Sequence, residues 1–376
     1  MCTPFTPLLH LAPLQQAMLK TSGHGHHVEQ VVVVFSPSVM PKQIMSAWVE
    51  TVASTEALRL QFLREDAGWL GVPFTGVIGG LDTEIPRPES WEEWLAADRT
   101  RSLLTPGCVP WRAVYWPEAG RFIWTFHHAM LDGRSITRIL KGFVERIEGK
   151  NPGRLRLSRW QPAPAEAFKS VRAMLAHDFI EQACRFSPDQ DLPEPAVCHL
   201  GEAFLERLES LTKLMEVTVP TLITWSWGQA LARERRVSRV VVEQLRAGSP
   251  QPGAAGFTMN SLPVQIVKAC RGDALDDLHA FREQLLELRK FENVSLEDFC
   301  IGYPLDNSVI MVEHRTLAHE LSGPIIEALA LHEAKGEALG ATAHLLPDLR
   351  LEVEGPGRHA YLKAWIEVLE DQVGGA

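Results

Sequence analysis

Residues Arg121–Leu140 read RFIWTFHHAMLDGRSITRIL, and this stretch decides the fold prediction. Its first part, Phe122–Phe126, is aromatic or β-branched at every position, which favours a largely buried strand. From Ser135 onward apolar residues recur at helical spacing, so we expect an amphipathic helix there. Asp132 stands where a helix N-cap belongs, and Gly133 permits a close backbone approach. The sequence therefore predicts a histidine pair at the junction of a strand and a helix, where ligands gather in α/β folds.

Length and composition narrow the class of protein. A chain of 376 residues exceeds the roughly 250–300 at which single cores stop growing, so we expect two lobes. The formal net charge of −10 argues against sequence-independent nucleic-acid binding, which needs a basic surface. The sequence has no apolar run of about 20 residues and no signal-peptide pattern, so we predict no membrane contact and a cytoplasmic location. The six cysteines are scattered without a CxxC pair, which predicts reduced thiols and no zinc site.

A second group of histidines lies in the segment SGHGHH at residues 22–27. Because imidazole is a common metal ligand, His24, His26 and His27 could in principle form a metal site. The interleaved glycines favour instead a turn that leads into a strand at residues 28–35. We therefore predict that the protein holds no metal.

The histidine motif resembles the HHxxxDG signature of the condensation-domain acyltransferases. That superfamily includes the amide-forming domains of nonribosomal peptide synthetases and, more distantly, chloramphenicol acetyltransferase. Two more segments match in order: TEALRLQF at 55–62 resembles the family's HExLRxxF, with Thr55 replacing its histidine, and GFTMNSLP at 256–263 resembles GxFxNTLP. The family's YxDFAxW stretch is absent. The resemblance covers nearly the whole chain and identifies it as a stand-alone condensation-domain-like acyltransferase.

The resemblance implies a fold and a division into lobes. The expected fold is α/β with mixed sheets, built as two chloramphenicol acetyltransferase-like lobes that form a V-shaped pseudo-dimer with a central tunnel. Residues 1–160 would form the N-terminal lobe with the histidine motif, and residues 161–376 the C-terminal lobe. Residues 150–164, rich in proline, glycine and arginine, are interpreted as the connector, and residues 165–186 favour a helix.

The resemblance also assigns roles to residues. It makes His128 the catalytic residue, because the second histidine of the motif acts in the family. His127 faces the other side, as successive strand residues do, and is expected to brace the loop. Arg59 is the inferred partner of Asp132 in a bidentate ion pair, although Arg59 could also be a surface charge. Gly133 is expected to leave room for a slender substrate arm.

Three hydroxyl or amide side chains are candidate substrate or oxyanion contacts. Ser135 continues the motif as DGxS, and Asn260 and Ser261 lie in the second matched segment. Asn260 as a structural turn residue is an equally good interpretation. The helix that follows Asp132 points N–H groups toward the site and could favour a developing oxyanion.

The resemblance implies substrates and partners as well. A phosphopantetheine-linked thioester, on an acyl or peptidyl carrier protein or on coenzyme A, would be the donor, with no tightly bound cofactor. A small-molecule amine or alcohol would be the acceptor, and since no activating or carrier segment is recognised, we expect donors loaded elsewhere. Two alternatives remain open: a non-catalytic module of the same fold that docks a carrier protein, and an ester-forming acyl-CoA-dependent acyltransferase.

Overall fold

The structure is a computed structural model. It describes residues 9–22, 26–66, 68–76, 78, 81–160, 194–248, 251–269, 274–294, 308–314, 317–321, 323–332 and 339–374. These residues form two compact units. The first contains Met1–Gln161, Ala247–Met259 and Leu317–Lys335, and the second contains Pro162–Arg246, Asn260–Thr316 and Gly336–Ala376. The helix predicted for residues 165–186 lies outside the described residues.

Strands and helices alternate along the described chain, which confirms the mixed α/β prediction. The strands are β1 (Leu9–His10), β2 (Val28–Phe35), β3 (Leu60–Glu65), β4 (Gly68–Pro73), β5 (Trp111–Trp116), β6 (Arg121–His127), β7 (Arg156–Leu157), β8 (Ala196–Gly201), β9 (Arg239–Ala247), β10 (Ala254–Ala255), β11 (Met259–Val267), β12 (Ser308–Glu313), β13 (Ile326–His332), β14 (Leu339–His344) and β15 (Leu349–Glu354). The helices are α1 (Pro13–Lys20), α2 (Pro41–Ser54), α3 (Trp91–Arg99), α4 (Gly133–Ile147), α5 (Glu202–Leu214), α6 (Val219–Arg235), α7 (Ala274–Leu288), α8 (Leu317–Glu320) and α9 (Arg358–Gly374).

The first unit is organised by a four-stranded antiparallel sheet in the order β13-β2-β6-β5. Strand β6 is buried from Phe122 to its end, because it lies between β2 and β5 and is covered on both faces. Its aromatic and β-branched residues suit such a doubly covered strand. The buried strand predicted from Phe122–Phe126 is therefore confirmed, with one more residue at each end.

Strands β5 and β6 pair as an antiparallel hairpin. The two strands are joined by a 3-10 turn at Pro117–Ala119, and Gly120 follows it with a φ of 56°. A Cβ at this glycine would lie 2.8 Å from the carbonyl oxygen of Phe35, so both the backbone angle and the close approach require glycine. The turn thus fixes the register that brings His127 to the end of β6.

Helices α2 and α4 cover one face of this sheet. Trp48 of α2 is fully buried and makes edge contacts with Trp111, Trp124, Phe122 and Phe143, with ring centroids 4.9–5.7 Å apart. Such edge-to-face clusters bury large apolar areas in fixed orientations. The cluster anchors α4, and therefore its N-terminus beside the two histidines, against β6.

The second unit contains a six-stranded sheet in the order β11-β9-β12-β14-β15-β8. Strand β12 is parallel to β9 and β14, whereas β15 is antiparallel to β14 and β8. Helix α6 is buried almost throughout, and the indole of Trp227 donates to Ser308 Oγ on β12 at 3.1 Å. Trp365 of α9 donates to Ser226 Oγ at 2.9 Å, which ties the last helix to α6.

The chain does not divide into two contiguous lobes at residue 160. The first segment of the first unit ends at Gln161, close to the predicted boundary, but residues 247–259 and 317–335 return to it. Strand β13 pairs with the edge of β2, and β10 pairs with β7. Strand β13 covers β2, which would otherwise be a sheet edge, and β10 gives β7 its partner in a two-stranded sheet.

A buried charge cluster lies in the second unit. His344 on β14 is 7% exposed, its Nδ1 lies 3.0 Å from Oε2 of Glu313 on β12, and its Nε2 lies 3.6 Å from Oε1 of Glu352 on β15. Arg350 also pairs with Glu352. Burial opposes a charged imidazole, but the hydrogen bonds and charges of the two glutamates outweigh it and raise the pKa of His344 to about 9. His344 is therefore a cation at neutral pH.

The free energy of unfolding should consequently fall at alkaline pH. The folded pKa of His344, about 9, exceeds the ordinary value of 6.5, so its contribution is complete below 6.5 and is lost as the pH rises through 9. The loss is at most about 3 kcal/mol, at roughly 1.4 kcal/mol per pKa unit. Urea unfolding across this pH range measures it. Glu313→Gln should flatten the curve, and an equally steep curve in that variant contradicts the assignment.

Candidate active site

His127 is the buried member of the histidine pair. Its Nδ1 accepts the backbone N–H of Ala129 at 3.1 Å, so the ring hydrogen lies on Nε2 and donates to Ser22 Oγ at 2.6 Å. The hydroxyl of Ser22 in turn donates to the carbonyl of Met18 at 2.6 Å. Burial, then the nearby His27 and His128, lower the pKa of His127 to about 3. His127 is thus a neutral ring with both nitrogens engaged, which closes the turn after β6.

His128 is the partly exposed member. It begins a 3-10 turn at His128–Met130, and its backbone N–H donates to the carbonyl of His27 at 2.7 Å. Its Nδ1 lies 2.7 Å from Oε1 of Glu29, and the two side chains are 20% and 6% exposed respectively. The ring meets Phe257 edge-on at 5.8 Å between centroids. The imidazole therefore contacts Glu29 and Phe257 within the first unit, and part of the side chain stays open to solvent.

Asp132 is the N-cap of α4, as predicted. Its Oδ1 accepts the N–H of Ser135 at 2.8 Å, and its Oδ2 accepts both the N–H and the hydroxyl of Thr258, at 3.0 and 2.7 Å. The carboxylate is 2% exposed. Three donors satisfy it, and they join the start of α4 to the segment before β11.

Ser135 completes this junction. Its hydroxyl donates to the carbonyl of Gly256 at 2.8 Å and accepts the N–H of the same residue at 2.9 Å. The backbone N–H of Asp132 adds a bond to that carbonyl at 3.2 Å. Since Ser135 is buried and uses its only hydrogen here, it ties two segments together, and the predicted substrate contact is not supported.

The predicted pair between Arg59 and Asp132 is wrong. The guanidinium donates to the carbonyls of Phe74 and Gly76, both at 3.2 Å, and the described residues contain no ion pair between Arg59 and Asp132. Arg59 ends the 3-10 turn at Glu56–Arg59 and supports the loop that follows β4. Thr258 and Ser135 donate the hydrogen bonds to the Asp132 carboxylate that Arg59 was expected to donate.

Gly133 opens α4 on the exposed side of the capped turn. A Cβ placed at this position meets no described atom within 4 Å. The protein therefore does not require glycine here for packing. An added side chain here would enter open space, and the room for a substrate arm at Gly133 stays a prediction.

Asn260 and Ser261 have their donors engaged inside the second unit. The amide of Asn260 donates to the carbonyls of Glu292 and Val294, each at 2.8 Å. The hydroxyl of Ser261 donates to Oε2 of Glu243 at 2.9 Å. Neither donor is left for a substrate in this arrangement, and the interpretation of Asn260 as a structural residue is the better one.

The sequence reasoning missed Glu29 and Thr258, and it gave Gln15 no role at the site. Glu29 had a detectable signal, since it is a carboxylate inside the apolar strand VEQVVVVF. Gln15 is buried and donates from Nε2 to the carbonyl of Ala129 at 2.7 Å, which supports the turn that carries His128. Thr258 lay inside a matched segment, but its partner is 126 residues away and local pattern gives no sign of it.

The other histidines do not assemble a metal site within the described residues. His24 lies outside them, and the described part of the chain holds no group of three or more His, Cys, Asp or Glu side chains placed to bind a metal ion. His27 packs near His127, with ring centroids 6.2 Å apart, and its Nε2 lies 2.8 Å from Thr21 Oγ1. Among the described helices, none combines the length and the apolar character that crossing a bilayer needs.

Comparison with known proteins supports the resemblance. No family model matches the chain. It is 27% identical over 337 residues to one component of the linear gramicidin synthase of Brevibacillus parabrevis, a match that covers 77% of this chain and 6% of that protein. Another component of the same synthase is 24% identical over 365 residues, covering 81% of this chain and 5% of that protein. The chain thus spans about one-twentieth of the curated relatives it matches.

Solved structures agree on the fold. The condensation domain of the monacolin K polyketide synthase MokA superposes with a TM-score of 0.75 at 14% identity, covering 98% of both chains. The starter condensation domain of rhizomide synthetase RzmA gives 0.72 at 15% identity, covering 98% of this chain and 97% of that one. The protein has the condensation-domain fold, so the resemblance predicted from the histidine motif is confirmed. The chain resembles condensation domains in fold and parts of nonribosomal peptide synthetases in sequence.

Proposed function

We propose that the protein is an acyltransferase of the condensation type. It joins an acyl group, delivered as a phosphopantetheine thioester, to an amine or an alcohol. The observation that carries this proposal is the His128 imidazole, which stays partly exposed beside a fully engaged, neutral His127. The similarity to condensation domains of peptide and polyketide synthases supports the same reaction class.

The chemical step needs one proton acceptor. The acceptor's nitrogen or oxygen attacks the thioester carbonyl carbon, a C–N or C–O bond forms, and the C–S bond breaks. His128 takes the proton from the nucleophile and returns it to the departing thiolate, so atoms and charge balance. An imidazole titrates near neutral pH and suits this exchange. General-base help is worth roughly 3–5 kcal/mol of barrier, and holding two substrates together supplies more.

The remaining motif residues have supporting roles in this proposal. His127 and Asp132 keep the turn and the start of α4 in place through the hydrogen bonds given above. Ser135 adds the bond to Gly256. Gly133 leaves space for the pantetheine arm beside His128. The N–H groups of the first turn of α4 favour negative charge that develops on the carbonyl oxygen.

Donor and acceptor are tested together by mass spectrometry. The purified protein is incubated with acyl-coenzyme A or with acyl-loaded carrier protein, and each donor is offered to a panel of amines and alcohols. A new amide or ester that requires the protein supports the proposal and identifies the donor type. Binding of the loaded carrier without product in any arm would instead indicate the docking module.

Gly133→Leu should leave stability unchanged and reduce acyl transfer. Because a Cβ here meets no described atom within 4 Å, the side chain projects into open space, and α4 tolerates leucine well. We expect the free energy of unfolding to change by less than about 0.5 kcal/mol, as for surface substitutions. Blocked entry of substrate should lower the transfer rate about tenfold or more, equivalent to roughly 1.4 kcal/mol. Urea unfolding and initial rates measure the two effects.

Gly323 supplies the matched control for that substitution. It is exposed, belongs to the first unit and likewise has no described atom within 4 Å of an added Cβ. Gly323→Leu should change neither stability nor transfer. If Gly133→Leu keeps the full transfer rate, the space beside Gly133 is not the substrate path.

A further inference from the structure

The strand next to the histidine motif carries a buried carboxylate. Glu29 lies on β2 among valines, and its side chain is 6% exposed. An ionised carboxylate in such a place is costly unless it has a charged or hydrogen-bonded partner. Its Oε1 lies 2.7 Å from His128 Nδ1, whereas its Oε2 is buried with no hydrogen-bond partner among the described residues. Among the described side chains, the Glu29 carboxylate therefore has the His128 imidazole as its polar contact.

The backbone of the first unit fixes this contact. In the antiparallel register of β2 and β6, Glu29 lies opposite Phe126, and Val28 lies opposite His127. Just beyond the last residue pair of the two strands, the backbone N–H of His128 donates to the carbonyl of His27 at 2.7 Å. Glu29 thus lies on β2 and His128 lies in the turn that directly follows β6, so the pairing of these two strands brings the two side chains together. In this conformation Nδ1 and Oε1 lie within ion-pair distance, 2.7 Å, and the ring N–H does not point along the line between them.

We propose that Glu29 is a positioning residue that holds the ring hydrogen of His128 on Nδ1 and leaves Nε2 as the proton acceptor. A neutral imidazole carries a single hydrogen, and the hydrogen bond at one nitrogen decides the state of the other. A carboxylate at Nδ1 also stabilises the imidazolium that forms when Nε2 takes a proton. The importance of this arrangement for catalysis rests on the proposed function, but the position of the hydrogen does not.

The surroundings of His128 disfavour further positive charge. Among the described residues, titratable groups close to the ring include His27, His127 and Glu29. The pKa values of His27 and His127 are both lowered, mainly by burial and then by the neighbouring histidines. Further positive charge is therefore unfavourable in this part of the first unit. Among the described residues, the carboxylate of Glu29 lies at ion-pair distance from His128 and can offset a charge on its ring.

Nitrogen chemical shifts of selectively ¹⁵N-histidine-labelled protein test the proposal without any substrate. The His128 signal is assigned by its loss in His128→Asn. In wild-type protein at alkaline pH we expect Nδ1 to be protonated and Nε2 to be the bare nitrogen. In Glu29→Met, which has similar length and no acceptor, the Nε2–H form should predominate. Glu29→Gln keeps an oxygen acceptor and should preserve the Nδ1–H form.

The matched control is Glu313→Met, because Glu313 faces His344 Nδ1 in the second unit at 3.0 Å. It should change the His344 signal and leave that of His128 as in wild type. A wild-type His128 protonated on Nε2, or an unchanged tautomer in Glu29→Met, overturns the proposal even if a variant folds poorly, since the first result needs no variant.

An activity measurement separates this proposal from the proposed function. With a working donor and acceptor, Glu29→Met should lower kcat about tenfold or more with little change in KM, and Glu29→Gln should recover part of the loss. If wild-type protein transfers no acyl group, the proposed function fails while the tautomer result still stands. Full kcat in Glu29→Met, with the tautomer changed, would contradict the catalytic importance of Glu29.

Discussion

His128→Asn is expected to remove most acyl transfer and to leave the fold intact. The amide nitrogen of asparagine occupies a position close to that of imidazole Nδ1, so it can still donate to Glu29, which lies 2.7 Å from that nitrogen in the wild-type protein. Nothing in the asparagine side chain replaces Nε2. Loss of a general base lowers rates by roughly 10²–10⁴-fold, or about 3–5 kcal/mol of barrier. Initial rates at saturating substrate, with product measured by mass spectrometry, give the effect on kcat.

An exposed histidine provides the matched control for this substitution. His199 in the second unit also has a carboxylate partner, with Nδ1 3.2 Å from Oδ2 of Asp348, and its side chain is 60% exposed. His199→Asn should leave transfer unchanged. If His128→Asn retained the wild-type kcat, His128 would not be the proton acceptor, and the exposed imidazole would lose its proposed role.

The strand, turn and helix around the histidines could be predicted because their determinants are local. Phe122–Phe126 carries its β preference in its own side chains, and Asp132 caps α4 through the N–H of Ser135, three residues away. The hairpin of β5 and β6 needs only a short turn between two apolar runs. Periodicity and capping act over a few residues, so a single sequence is enough to detect them.

The partners of the buried charges could not be predicted in the same way. Arg59, Asp132 and Glu29 each have partners chosen by tertiary structure rather than by neighbours in sequence. The resemblance supplied Arg59 as the partner of Asp132, but this chain satisfies that carboxylate with Thr258. Because three donors already surround the Asp132 carboxylate, a guanidinium would add little stabilisation, and burying it would cost desolvation free energy.

The division of the chain into two units also depends on pairings between segments that are far apart in sequence, so it could not be predicted from local pattern. Residues 247–259 and 317–335 belong with the first unit because β10 and β13 pair with β7 and β2. Hydrophobic pattern identifies a strand but not the strand to which it pairs, particularly across a long stretch of intervening chain. Thr258 reaches Asp132 only because its segment makes this return.

Asp132→Ala should destabilise the protein strongly, whereas Arg59→Met should not alter the environment of Asp132. Removing the carboxylate, which is 2% exposed, leaves the two part-buried donors of Thr258 without this acceptor and leaves the N–H of Ser135 with only the backbone carbonyl of residue 132. We expect a loss of about 3–5 kcal/mol in the free energy of unfolding. Urea unfolding of the single and double variants gives the coupling energies.

A pair of double-mutant cycles decides which partner Asp132 has. Thr258→Val deletes the hydroxyl that donates at 2.7 Å, so the coupling between Asp132 and Thr258 should be about 1–3 kcal/mol. Arg59 donates instead to Phe74 and Gly76, so the effects of Arg59→Met and Asp132→Ala should add within about 0.5 kcal/mol. Strong coupling between Arg59 and Asp132, with none to Thr258, would restore the ion pair that the family resemblance implied. The expected result instead identifies Thr258, which precedes β11, as the residue that anchors α4 beside His128 through Asp132.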